Sequence, residues 1–224
     1  MPVNTEAYLQ ISHELTEANA VLVAVSKTKP VADIEALYEL GQRDFGENYV
    51  QELVDKEALL PKDIRWHFIG HLQTNKVKYI APFVHLIHGV DTAKLLKEID
   101  KQAAKNNRVI DCLLQVYIAQ EETKFGFDES ELAALVNQLP LLTHIRVIGL
   151  MGMASFSNNR QIVRGEFSYL KSLFDTYHQL AMFTCSSPVL SMGMSGDYSI
   201  ALAEGSNLVR IGSLLFGART YPTK

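Results

Sequence analysis

The sequence predicts an α/β protein, a single (β/α)8 barrel preceded by one extra helix, on three observations. Strand-like and helix-like segments alternate along the whole chain of 224 residues. Several strand segments are continuous apolar runs, as parallel strands covered on both faces must be. The alternation yields eight strand–helix units with one early helix to spare. A doubly wound open sheet accommodates the same alternation, but eight units in so short a chain fit the compact barrel better. No linker rich in Pro, Gly or Ser interrupts the pattern, so residues 1–224 are expected to form one domain.

Each element has a local reason. Tyr8, Ile11 and Leu15 fall at helical spacing and predict a helix over about Thr5 to Asn19. The first strand is the apolar run Val21–Ser26, stopped by Pro30. A helix over Ala32–Leu40 follows, with Gly41 as its C-cap. Strands then recur at Asp44–Gly46, Trp66–Ile69, Val84–Val90, Ile110–Ile118, Arg146–Met151, Val189–Ser191 and Leu208–Ile211. Between them, Asp91 is placed to cap a helix that buries Leu95, Leu96, Ile99 and Ala103. Asp128 with Glu131 reads as a capping box, and Phe167, Leu170, Phe174 and Tyr177 mark a long helix over Gln161–Met182. Ser195–Ala203 reads as a short helix that Ser195 could cap.

Bulk properties exclude several classes. A net charge of −4 without a basic run argues against nucleic acid as a partner. No apolar stretch reaches the length of a membrane span, and the N-terminus lacks the basic and apolar regions of a secretory signal. With Cys112 and Cys185 far apart, a reduced, cytoplasmic protein is expected. The histidines lack the spacing of a metal site; His85 and His88 share a strand without further ligands. There is no Gly-x-Ser-x-Gly elbow and no Gly-x-Gly-x-x-Gly turn.

Barrel sites form at the C-terminal ends of strands. Lys27, Asn48, His71, Ser191 and Arg210 all fall at or near such ends. Lys27 follows an apolar strand, and a partly desolvated ammonium loses its proton readily to become a nucleophile toward aldehydes. Lys29 competes for that role, but Pro30 places it in a loop. Gly212-Ser213, after the last strand, suits backbone contact with an anion; a simple strand–helix turn is the plainer reading. The small-residue stretch Ser191-Met192-Gly193-Met194-Ser195 offers a second such loop. Arg210, inside an apolar strand, must face an acidic side chain or a ligand acceptor, because a buried guanidinium without a partner is costly. A nucleophilic lysine beside an anion site suggests a phosphorylated aldehyde, with pyridoxal 5'-phosphate the first candidate.

The blocks Ala24-Val25-Ser26-Lys27-Thr28-Lys29-Pro30, Phe45-Gly46-Glu47-Asn48-Tyr49, Trp66-His67-Phe68-Ile69-Gly70-His71, Gly149-Leu150-Met151, Ser191-Met192-Gly193-Met194-Ser195 and Val209-Arg210-Ile211-Gly212-Ser213, with Phe216-Gly217-Ala218-Arg219, occur in order over nearly the whole chain. In them the sequence resembles the pyridoxal phosphate homeostasis protein family, single-domain relatives of the alanine racemase barrel. The resemblance implies a TIM-type barrel of PLP fold type III without a C-terminal β domain. It implies that Lys27 holds pyridoxal phosphate as a Schiff base, and that Arg210 faces the pyridine nitrogen. Asn48 is then expected to line the pocket, and Ser191, Met194, Ser195, Gly212 and Ser213 to surround the phosphate.

The expected function is cofactor homeostasis without a dedicated reaction, with apoenzymes that use pyridoxal phosphate as acceptors, and a monomer is expected. A weak alanine-racemase-like activity is the alternative; the larger racemases add a tyrosine base and a β domain, for which residues up to Lys224 leave no room. A Schiff-base aldolase acting on a sugar phosphate, with no bound cofactor, is the third reading.

Overall fold

Strand β1 (Val21–Val25) pairs in parallel with β2 (Asp44–Glu47) on one side and with β8 (Leu208–Ile211) on the other, so the sheet closes on itself. This is seen in a computed structural model that describes residues 3–119, 125–180 and 182–217. The remaining strands are β3 (Arg65–Phe68), β4 (Leu86–Val90), β5 (Ile110–Gln115), β6 (Ile145–Met151) and β7 (Val189–Met194). All eight follow sequence order around a closed barrel. The extra helix α1 (Thr5–Glu17) is capped by Asn4, whose side chain accepts from the Ala7 amide.

The outer helices are α2 (Val31–Glu39), α3 (Val50–Leu59), α4 (Val77–Ile80), α5 (Ala93–Lys105), α6 (Glu129–Val136), α7 (Arg160–Gln179), α8 (Tyr198–Ala203) and α9 (Ser213–Phe216). Their apolar faces pack on the outward residues of the strands, among them Leu22, Phe45, Trp66, Phe68, Ile87 and Leu114. The inward positions, two apart along each strand, hold a smaller cluster of Val23, Leu86, Leu113, Met151 and Leu208. They also hold a polar column. Asp44, His67, His88, Ser191 and Arg210 share the inward parity and are all buried.

Several boundaries differ from expectation for local reasons. Helix α3 begins one residue after Asn48, with Tyr49 at its N-cap, and buries Leu53 and Lys56. Thr92, not Asp91, caps α5 by accepting from the Leu95 amide, and Asp91 turns to His71 instead. Strand β7 runs on to Met194, so most of the expected small-residue loop is strand. Helix α8 starts only at Tyr198, and Ser195 does not cap it. The capping box of Asp128 and Glu131 and the left-handed Gly41 at φ +100° are found as expected.

Candidate functional site

Lys27 sits in a tight turn fastened on both sides. Ser26, fully buried, donates its hydroxyl to Glu47 Oε1 at 2.6 Å. The Ser26 carbonyl accepts from Lys56 Nζ at 2.8 Å, and that ammonium also reaches Glu47 Oε1 and Glu52 Oε1, each at 2.7 Å. Glu52 Oε1 accepts from the Thr28 amide at 2.5 Å, and Thr28 takes the left-handed φ of +64°. Burial pushes the Glu47 carboxyl above its ordinary value even though Lys56 and Ser26 pull the other way. Lys29 Nζ donates to the Phe216 carbonyl at 2.7 Å and ties the turn to α9, so the lysine two places on has a separate structural task.

The turn opens onto a cavity of about 390 Å³ at the C-terminal end of the barrel. Lys27, Asn48, Met194, Ser195, Arg210, Gly212 and Ser213 all line it. Ser191 does not; it is fully buried behind Arg210. Ile69, from one of the sequence blocks, adds an apolar wall, as do Met153 and Phe156, which no sequence motif marked. Ala218 and Arg219, part of the last sequence block, lie outside the described residues.

Arg210 is held from below. Nη1 donates to the Ser191 carbonyl at 3.0 Å and to Ser191 Oγ at 2.5 Å, and Nη2 donates to the Gly152 carbonyl at 3.1 Å. Among the described residues no carboxylate lies within ion-pair distance of it. Burial lowers its pKa to about 10, which Asp197 opposes, so the guanidinium remains a cation at neutral pH. Of the two readings open from sequence, the ion pair is absent among the described residues, and the ligand acceptor remains.

Three features test whether pyridoxal phosphate fits. Arg210 is a buried cation facing the cavity, with no carboxylate at ion-pair distance among the described residues and Asp197 farther off on the same cavity wall. Asn48 Oδ1 is a buried acceptor without a hydrogen-bond partner. Ser195 Oγ accepts from the Gly212 amide at 3.3 Å at the opening of α9, where the Leu215 and Phe216 amides close on the Gly212 carbonyl and the Ser213 and Leu214 amides stand ahead of the helix's own bonds. A lysine, a buried cationic donor, an idle acceptor and backbone amides at a helix opening in one cavity suit such a group. Asp197 also lines this wall, with its Oδ1 accepting from the Met194 amide at 2.6 Å.

His71 is not brought into this cavity. It lines a neighbouring one of about 600 Å³, with Nδ1 2.9 Å from Asp91 Oδ2 and its ring stacked on Phe125. At the other end of the barrel, Asp44, His67 and His85 bring ligand atoms within 4.8 Å of one another, further partners for His85 that spacing did not show. Arg65 occupies both Asp44 oxygens, at 2.7 and 2.5 Å, which makes this a closed ion-pair cluster and a poor seat for a cation.

Comparison with known proteins finds relatives along nearly the whole chain. The family model for the alanine racemase N-terminal domain matches residues 5–220. A pyridoxal phosphate homeostasis protein of Aquifex aeolicus is 44% identical over 203 residues, covering 90% of this chain and 88% of its own length. One from Synechocystis is 41% identical, covering 88% of this chain and 91% of its own. The solved structure of PipY from Synechococcus elongatus with PLP bound superposes with a TM-score of 0.86 at 34% identity, over 95% of this chain and 99% of that one.

Proposed function

The chain belongs to the pyridoxal phosphate homeostasis protein family, and on that premise we propose that it binds pyridoxal 5'-phosphate in the Lys27 cavity and holds it for transfer, with no dedicated reaction of its own. The observation that carries this reading is the buried Arg210 cation, facing the same cavity as Lys27 with no carboxylate at ion-pair distance among the described residues.

When bound, the cofactor supplies an aldehyde carbon open to a lysine amine, and Lys27 is the residue to hold it. Ser195, Gly212, Ser213 and the opening amides of α9 receive the phosphate, with Met194 as a wall. Asn48 Oδ1 accepts from a donor of the bound group. Ser191 contributes through Arg210, not by touching the ligand. Arg210 donates hydrogen bonds but does not accept protons, so it leaves a ring nitrogen opposite it unprotonated. That makes the ring a weaker electron sink and favours holding over deep carbanion chemistry. Among the described residues that line the cavity there is no tyrosine to act as the second base of a racemase. No described helix is long and apolar enough to cross a membrane. Apoenzymes that need the cofactor are the acceptors in this reading, and the barrel works as one domain and as a monomer.

The test is the visible spectrum of the purified protein before and after borohydride, with the modified peptide located by mass spectrometry. A reducible chromophore trapped on Lys27 is expected, together with its loss to added apoenzyme and no turnover of free amino acids. A protein that stays colourless with added pyridoxal phosphate overturns the reading. Steady racemisation of alanine would replace it with the racemase alternative.

A further inference from the structure

The polar column inside the barrel is continuous from the base to the pocket. Arg65 clamps Asp44 at the N-terminal end of β2 and β3. Asp44 Oδ1 lies 3.0 Å from His67 Nε2, and His67 Nδ1 lies 2.9 Å from His88 Nε2. His88 Nδ1 lies 3.1 Å from Ser191 Oγ, which takes the 2.5 Å hydrogen bond from Arg210. Members of this column come from five strands, and the Ser191–His88 link joins residues 103 apart in sequence.

With one proton on each imidazole, the two ends set the direction of every bond between them. Arginine only donates, so Ser191 Oγ must accept from Arg210. Asp44 carries a carboxylate; burial opposes its ionisation, but hydrogen bonds from Arg65 and His67 outweigh that and hold its pKa far below the usual range. His67 Nε2–H must therefore donate a hydrogen bond to Asp44. With one proton on each ring, His67 Nδ1 is bare and accepts from His88 Nε2–H. His88 Nδ1 is then bare in turn and accepts the Ser191 hydroxyl proton. Three protons fill three contacts, and no other arrangement with one proton per ring satisfies them all. A second proton on His88 is opposed by its complete burial and by the nearby Arg210 cation. Asp111 and Arg65 are the other charged groups facing the histidines at this end, through His85.

We infer that Asp44, His67, His88 and Ser191 form a one-directional hydrogen-bond relay that positions Arg210, with His88 fixing the Ser191 hydroxyl as an acceptor. A serine free to rotate would point its hydrogen at the guanidinium part of the time. With that hydrogen committed to His88, Oγ presents a lone pair to Nη1 permanently. The remaining N–H groups of Arg210 are then held toward the cavity. His67 and His88 are positioning residues, since His88 is fully buried and neither lines the pocket. The inference rests on the reading that Arg210 faces the bound cofactor, but its first test does not.

The full chain, free of cofactor and labelled with ¹⁵N at histidine and arginine, gives the ring tautomers by long-range ¹H–¹⁵N correlation at pH 7. Both rings are expected as Nε2–H with bare Nδ1, and the Arg210 guanidinium is expected to rotate slowly enough to resolve its Nη protons. A proton on His88 Nδ1, or a doubly protonated His88, overturns the relay. In H88F, which removes both ring nitrogens, guanidinium rotation should become fast. The dissociation constant for pyridoxal phosphate should rise about tenfold, the scale of one charge-assisted hydrogen bond. An H88F protein that folds, keeps the slow rotation and binds as wild type also overturns it. Should H88F fail to fold, the wild-type tautomers decide alone. If wild type takes up no cofactor, the binding proposal fails, while the tautomers and rotation still judge the relay.

Discussion

Replacing Lys56 with methionine should loosen the turn that carries Lys27, with a cost that depends on pH. Lys56 is 5% exposed and joins Ser26, Glu47 and Glu52 in one buried knot. Methionine fills similar space without a charge, so the loss is electrostatic and leaves little cavity. It strands Glu47, fully buried, whose Oε2 already lacks a hydrogen-bond partner. Breaking a buried pair in this way costs about 3–5 kcal/mol. For a chain of this size that is a fall in Tm of about 10 °C.

The sign of the pH effect follows from Glu47. Its folded-state pKa is raised above 4.5, chiefly by burial. A raised carboxyl favours the fold below its unfolded value, and that contribution is lost as pH rises through the folded value. Removing Lys56 raises it further, so the deficit of K56M should widen from pH 4.5 upward. Near pH 4, where Glu47 is protonated, only the orphaned Ser26 carbonyl remains, a cost of about 1–2 kcal/mol. Urea unfolding of wild type and K56M at pH 4 and pH 8 measures both figures. Adding Glu47→Gln to K56M should recover much of the loss at pH 8. Equal deficits at both pH values, or a double variant no more stable than K56M, would refute this account of the knot.

Other outcomes follow from the same structure. Asp44 has a depressed folded-state pKa, so its contribution is present above about pH 4 and lost as pH falls. Asp44→Asn should remove about 2 kcal/mol at pH 7 and flatten the acid limb of the stability curve between pH 4 and pH 2. Burial raises the thiols of Cys112 and Cys185, but only Cys112 is completely enclosed. Iodoacetamide followed by mass spectrometry should find Cys185 modified in the native protein and Cys112 only after unfolding. A Cβ at Gly70 would collide with the Asn48 carbonyl. Gly70→Ala should therefore displace Asn48 and weaken cofactor retention in dialysis by about tenfold or more, with a loss of about 1–3 kcal/mol in stability.

The sequence by itself determined the barrel and the position of Lys27, because both rest on local patterns. Apolar runs followed by helical spacing set the order of elements, and a lysine after an apolar strand must stand at that strand's C-terminal end. The ordered motif blocks carried a resemblance to a known family, and seven of the eight residues that the resemblance assigned to the site do line one cavity. Tertiary structure decided what holds those residues in place. Lys56 reaches Ser26 across 30 positions, because α3 packs on β2, the strand paired with β1. Ser191 meets His88 across 103, because inward positions of β4 and β7 face each other through the barrel. Ser195, read as a helix cap, instead accepts from Gly212 on the next strand's exit, since β7 carries the chain past the expected loop. Hydrophobic periodicity says which face a residue occupies. Which buried polar group it meets there is fixed only when the sheet closes and each donor must find an acceptor.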